Sequence, residues 1–245
     1  MLIRTLGLTT GIFGGVSMFI LAWWMMLTGN AEGPVTLFER IYIGYTFTPM
    51  GSIIGAIWGF VDWGIAGMIF VFKVAGAIAE TGVSLEDVFK TATEANNNIR
   101  TLGVAVSPCI LPEAGKPTFE ISDDEIEIGM GIHGEPGIKR EKLKPANDLV
   151  DDLYNRIIED SKLTSNDNIV VMINSLGATP LEELYIVSKR VNENLSNSKI
   201  KNIKTYVGRY ATSMEMAGMA ITTLKLNDNL KKYLLAESKC PFWNN

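Results

Sequence analysis

One histidine, His133, and two cysteines, Cys109 and Cys240, are all that the chain offers in imidazole or thiol chemistry. With no second histidine and no paired cysteine near it, His133 lacks companions for a tetrahedral metal site, and no metal is expected. The cysteines show no framework spacing, which argues against a disulfide scaffold and suits a reducing compartment. Cys109 lies in the apolar run GVAVSPCIL and reads as a small buried hydrophobe. Basic blocks are missing as well, so nothing in the charge pattern invites nucleic acid. Neither a P-loop nor a dinucleotide fingerprint occurs. Charge is scarce at one end: between Thr5 and Phe72 the charged residues are Glu32, Glu39, Arg40 and Asp62. The part from Lys73 onward carries every other charged residue except Arg4 and is mildly acidic.

That scarcity frames two long apolar runs. Leu6–Leu27 has no charge and at helical rise covers about 33 Å, enough for a hydrocarbon core of about 30 Å. Gly7, Gly11 and Gly15 share one face, and Trp23 and Trp24 stand where an interfacial belt would lie. A weak basic start and no small-x-small cleavage site favour a retained anchor over a signal peptide. Thr28–Thr48 is a connector whose LFERIYIGY part suits an interfacial helix. Met50–Phe72 is the second span, with Gly51, Gly55 and Gly59 repeating the spacing. Its Asp62 is either functional, or protonated or paired within the membrane. Arg4 and Lys73 place both ends on the cytoplasmic side. The expectation is an all-α transmembrane hairpin over 1–72 (spans 6–27 and 50–72), in contact with lipid, followed by a cytoplasmic α/β soluble domain over 73–245.

The soluble part is organised around Phe119–Gly137, FEISDDEIEIGMGIHGEPG. From Ile126 the residues alternate, with Ile126, Ile128, Met130 and Ile132 on one face. Glu125, Glu127, Gly129, Gly131 and His133 are on the other, which predicts a half-buried strand ending at the imidazole. Glycines at 129, 131 and 134 leave a floor without side chains, on which a small molecule could lie. A neutral imidazole serves as base, nucleophile or ligand, or it simply caps the turn at Pro136-Gly137.

Elsewhere the chain alternates helices and strands, which predicts a mixed α/β sheet. Ser84 caps a helix to about Ile99, and GVAVSPCIL reads as a buried strand. A helix over 148–160 and a continuous apolar strand, IVVMIN, follow. NSLGATP reads as a structural turn rather than a phosphate loop. Thr179-Pro180-Leu181-Glu182 reads as a capping box opening a helix to about Leu195. IKTYVG is a further strand, Thr212 or Ser213 caps a short helix through Gly218, and AITTLKLN is the last strand.

Five segments carry a resemblance: KVAGAIAETGVSLEDV from Lys73, GVAVSPCILPEAGKPTFE from Gly103, EIEIGMGIHGEPGI from Glu125, NSLGATPLEELYIV from Asn174 and YVGRYATSMEMAGMAITTLKLND from Tyr206. They resemble the substrate-binding subunit or domain of the dihydroxyacetone (glycerone) kinases. The resemblance implies that His133 binds dihydroxyacetone, or a similar short ketose, covalently as a hemiaminal, with Gly129, Gly131 and Gly134 lining the substrate. It implies phosphotransferase activity on a terminal hydroxyl. No cofactor is expected on this chain: the phosphoryl donor, ATP or a phosphotransferase-system partner, would sit on another domain or on a nucleotide-binding kinase subunit. The family's S-G-G-G-S-G-H-E-P stretch and essential aspartate have no counterpart in 1–72, so the module looks like a second half. Residues 1–72 resemble a phage-type holin hairpin, which implies a homo-oligomer associating through the glycine stripes. With no linker at Phe72-Lys73, two alternatives stand beside the kinase reading: a holin-like protein with a non-catalytic passenger, and a misjoined chimera.

Overall fold

The computed structural model describes residues 65–110, 115–130, 137–240 and 243–244. The apolar run IAGMIFVFKVAGAIA forms helix α1 (Ile65–Ala79), and Gly82, with φ of +74°, turns the chain into α2 (Leu85–Asn97). Ser84 caps α2 as the sequence predicts: its hydroxyl accepts the Asp87 amide at 3.2 Å. Strand β1 (Ile99–Ala105) is followed by β2 (Glu125–Ile128) and β3 (Lys139–Lys142). Then come α3 (Ala146–Ser161), β4 (Asn168–Ser175), α4 (Leu181–Asn197), β5 (Lys201–Gly208), β6 (Gly218–Leu226) and α5 (Asp228–Leu234). A two-stranded ribbon, β7 (Lys239–Cys240) and β8 (Trp243–Asn244), completes the described elements.

The six main strands form one mixed sheet in the order β3-β2-β1-β6-β4-β5. β4 and β5 are parallel, as their α4 crossover requires, and the other pairs are antiparallel. β4 is buried at all but its first residue, consistent with a strand covered on both faces. Val170 and Met172 meet Phe70, Val71 and Val74 of α1, Leu230 and Leu234 of α5, Tyr206 and Trp243 on one face. By alternation Ile169, Val171 and Ile173 point to the other face, where α3 and α4 lie. Those two helices are joined by Arg190, whose guanidinium donates to both oxygens of Asp151 at 2.8 and 2.6 Å.

The expected second membrane span is corrected here. Its last residues, 65–72, are the first half of α1, which runs through Phe72-Lys73 without a break. Phe70 is fully buried against the sheet, where removal of its side chain from water contributes about 2–3 kcal/mol. An apolar run of this composition fits a buried helix as well as a lipid-facing one, and the sheet is what it meets. Among the described residues no helix is long and apolar enough to cross a membrane. The first span, 6–27, the connector and Asp62 lie outside the described residues.

Four smaller expectations also change. β2 stops at Ile128 rather than reaching residue 133, because Gly129, with φ of +80°, turns the chain away. The strand expected in GVAVSPCIL begins earlier, at Ile99, and ends at Ala105. The helix expected at 212–218 is an irregular turn: Met214 is left-handed, with φ of +45°, and β6 already starts at Gly218. The capping box at 179–182 does not form, because the Thr179 hydroxyl is committed to accepting the Gly218 amide at 2.8 Å.

Candidate functional site

Three of the four residues expected to touch a substrate, His133, Gly131 and Gly134, lie outside the described residues. What the structure shows is how the chain enters and leaves that segment. On the entering side, β2 ends and the Gly129 amide donates to the Gly103 carbonyl of β1 at 2.8 Å. Met130 is then buried in a small core with Ala105, Cys109, Leu176 and Met216. A side chain on Gly129 would press on Ile138 at 3.0 Å and would have to adopt a left-handed backbone, so this glycine answers first to the turn. On the leaving side, Ile138 donates to the Ile128 carbonyl at 2.8 Å and opens β3.

Glu127 stands between the two sides. Among the described residues it is the one charged residue that is buried, 6% exposed, although it occupies the face that the alternation assigns away from the core. One carboxylate oxygen accepts the Gly137 amide at 2.7 Å. The other accepts from Arg140 Nη2 at 2.8 Å and Nε at 3.3 Å. Arg140 lies directly opposite Glu127 in the β2–β3 register, and this carboxylate holds its guanidinium above the usual range. Sequence reasoning placed Glu127 on a face without assigning it a role. The available signal was an acid in register with an arginine across a hairpin that carries the lone histidine.

The NSLGATP loop behaves as the structural turn expected. The Asn174 side chain is fully buried; it accepts the Tyr210 and Ala211 amides at 2.8 and 2.9 Å and donates to the Ala211 carbonyl at 2.6 Å. Ser175 donates to the Thr179 carbonyl and accepts the Gly177 amide. The Asn174 and Ser175 side chains are thus engaged within the loop and its neighbours. Cys109 is buried, as expected, with its sulfur 3.5 Å from the Ser213 hydroxyl. Among the described residues no cluster of three or more His, Cys, Asp or Glu could hold a metal.

The family model for the Dak1 domain matches residues 62–242, a range that includes the histidine segment and all of α1. The chain belongs to the Dak1 family. Its Dak1 region is 50% identical, over 165 residues, to the dihydroxyacetone-binding subunit DhaK of a PTS-dependent dihydroxyacetone kinase from Listeria innocua, covering 67% of this chain and 50% of that protein. Among solved structures, a dihydroxyacetone kinase operon co-activator matches with a TM-score of 0.67 and 32% identity, over 71% of this chain and 54% of that one. The dihydroxyacetone kinase from C. freundii, in complex with AMP-PNP and Mg2+, matches with a TM-score of 0.66 and 31% identity, over 74% of this chain and 33% of that one. The chain thus spans about half the length of the curated relatives it matches, and membership of the dihydroxyacetone kinase family agrees with the resemblance read from the sequence. The Dak1 match also begins ten residues before the expected join at Phe72-Lys73, in agreement with the place of α1 in the core.

Proposed function

We propose that this Dak1 chain is the substrate-holding component of a phosphotransferase, and that His133 captures dihydroxyacetone or a similar short ketose. The observation that supports this best is the position of the only histidine within the Dak1 match, in the segment HGEPG that lies in sequence between β2 and β3. In the capture step an imidazole nitrogen attacks the ketone carbon. The carbonyl electrons move to oxygen, which takes up a proton, and the other ring nitrogen gives up its proton, leaving a neutral hemiaminal. Glycerol has no carbonyl and cannot follow this path, so the bond itself selects ketones.

Phosphoryl transfer to a terminal hydroxyl then needs a donor held elsewhere, ATP or a phosphotransferase-system partner on a kinase subunit. The names of the relatives support both: one is PTS-dependent and another was solved with AMP-PNP. It also needs the Gly-rich stretch and aspartate of the family's first half, which residues 1–72 do not supply. Alone, the chain is expected to bind substrate without turning it over.

Native mass spectrometry with dihydroxyacetone tests the reading. The wild type should gain one triose and His133→Ala none, and equal adducts on both proteins would overturn the assignment.

A further inference from the structure

We infer that a small polar cavity between the sheet and the ends of α2 and α3 is a binding site for an ordered water, held by the Thr223 hydroxyl and the Arg100 guanidinium. The site is independent of the reading of His133, and every residue in it is described.

Strand register builds the site. Arg100 of β1 lies directly opposite Thr223 of β6, and Lys225 follows two residues on, so the three side chains share one face of the sheet. That face is the α3 side, where Arg100 bonds to Asp160. Asn98 at the end of α2, with Ser161 and Leu163 at the end of α3, also line this cavity of about 30 Å³. Thr222 gives the contrast: it points to the opposite face, and its hydroxyl is paired with that of Thr101 at 2.9 Å. Thr223 is 3% exposed, and among the described residues its hydroxyl has no hydrogen-bond partner.

A buried hydroxyl left without a partner opposes folding. A water needs roughly 10–15 Å³ and two to four polar partners, and this cavity offers both. Thr223 can donate to it. Arg100 uses Nε for Asp160 and Nη1 for the Asn97 and Ile99 carbonyls, which leaves Nη2 as a second donor. The Ser161 hydroxyl donates to the Ile158 carbonyl and keeps lone pairs with which to accept. The charges favour water over an anion. Arg100 is paired with Asp160, and Lys225 with Asp167 at 2.8 Å, so the two cations bring no net charge to offset the desolvation of an ion. The water gives Thr223 of β6 a link to the end of α3, beside the direct link that Arg100 of β1 makes through Asp160.

The test is a crystal structure of the full chain at a resolution that shows ordered waters, with a second crystal soaked in sodium bromide. The wild type should show a density peak roughly 2.6–3.2 Å from Thr223 Oγ1, within hydrogen-bond reach of Arg100. Bromide should give no anomalous signal there. Thr223→Ser keeps the hydroxyl and should keep the peak, whereas the near-isosteric Thr223→Val should lose it. A wild-type cavity without a peak, its lining side chains well ordered, would overturn the inference. Bromide in the cavity would overturn the choice of water in favour of an anion, and an unchanged peak in Thr223→Val would remove Thr223 from the role. Should Thr223→Val fail to fold, the wild-type and Thr223→Ser crystals still decide: a peak lost from the Ser variant would overturn the assignment to the hydroxyl.

Discussion

Trp243 stacks on Tyr206, with ring centroids 4.4 Å apart and planes inclined by 28°. Phe70 meets the same indole edge-on at 6.2 Å, and Tyr210 does so at 5.5 Å, so residues from α1, β5, the turn after it and β8 share one aromatic cluster. Trp243 is 6% exposed although it belongs to a two-residue strand. Trp243→Ala should cost about 3 kcal/mol, read as a lower urea midpoint. Burial also pushes the Tyr206 phenol up to about 12. Opening the cluster should let that phenol ionise at lower pH in an ultraviolet difference titration.

Phe70 and Phe72 separate a core helix from a lipid-facing one. Phe70 is fully buried and Phe72 is 42% exposed. Phe70→Ser should cost about 3–5 kcal/mol, and Phe72→Ser should cost about 1 kcal/mol or less, by equilibrium unfolding. A helix turned toward lipid would show no such contrast, so equal effects would count against the place given to α1.

The contact between α3 and α4 should be sensitive to acid. The Arg190 guanidinium, then the Asn194 amide, hold the Asp151 carboxyl below its ordinary range. A carboxyl with a depressed folded pKa contributes stability that is present above the unfolded value, near 3.9, and is lost as pH falls through the lower folded value. Asp151→Asn should therefore be less stable than wild type at pH 7. The difference should shrink as the pH drops below about 4, when urea midpoints are compared across that range.

The sheet was readable where one physical signal dominated. IVVMIN announced a strand covered on both faces, and Ser84 announced a helix start, because continuous apolarity and capping are local properties. The end of β2 was hidden because alternation continues through Met130 and Ile132, while the backbone sign of Gly129 is set by Ile138 and Gly103, far from it in sequence. Thr179 failed as a cap for a similar reason: Gly218 claimed its hydroxyl from another strand. The apolar run ending at Phe72 was the hardest case, since hydrophobicity says that a helix is buried without saying in what. His133 was singled out by its neighbours in sequence and lies outside the described residues, whereas the contacts of Glu127 needed the β2–β3 register to bring Arg140 and Gly137 to it.

The position of β6 sets the timing of assembly. It lies between β1 and β4, yet it is the last of the six main strands to leave the ribosome. Until residues 218–226 emerge, β1–β2–β3 and β4–β5 are two fragments with no direct pairing between them, and β1 and β4 each present a bare row of amides and carbonyls. The nascent chain is therefore most vulnerable to mispairing, and most dependent on chaperones, late in translation rather than early.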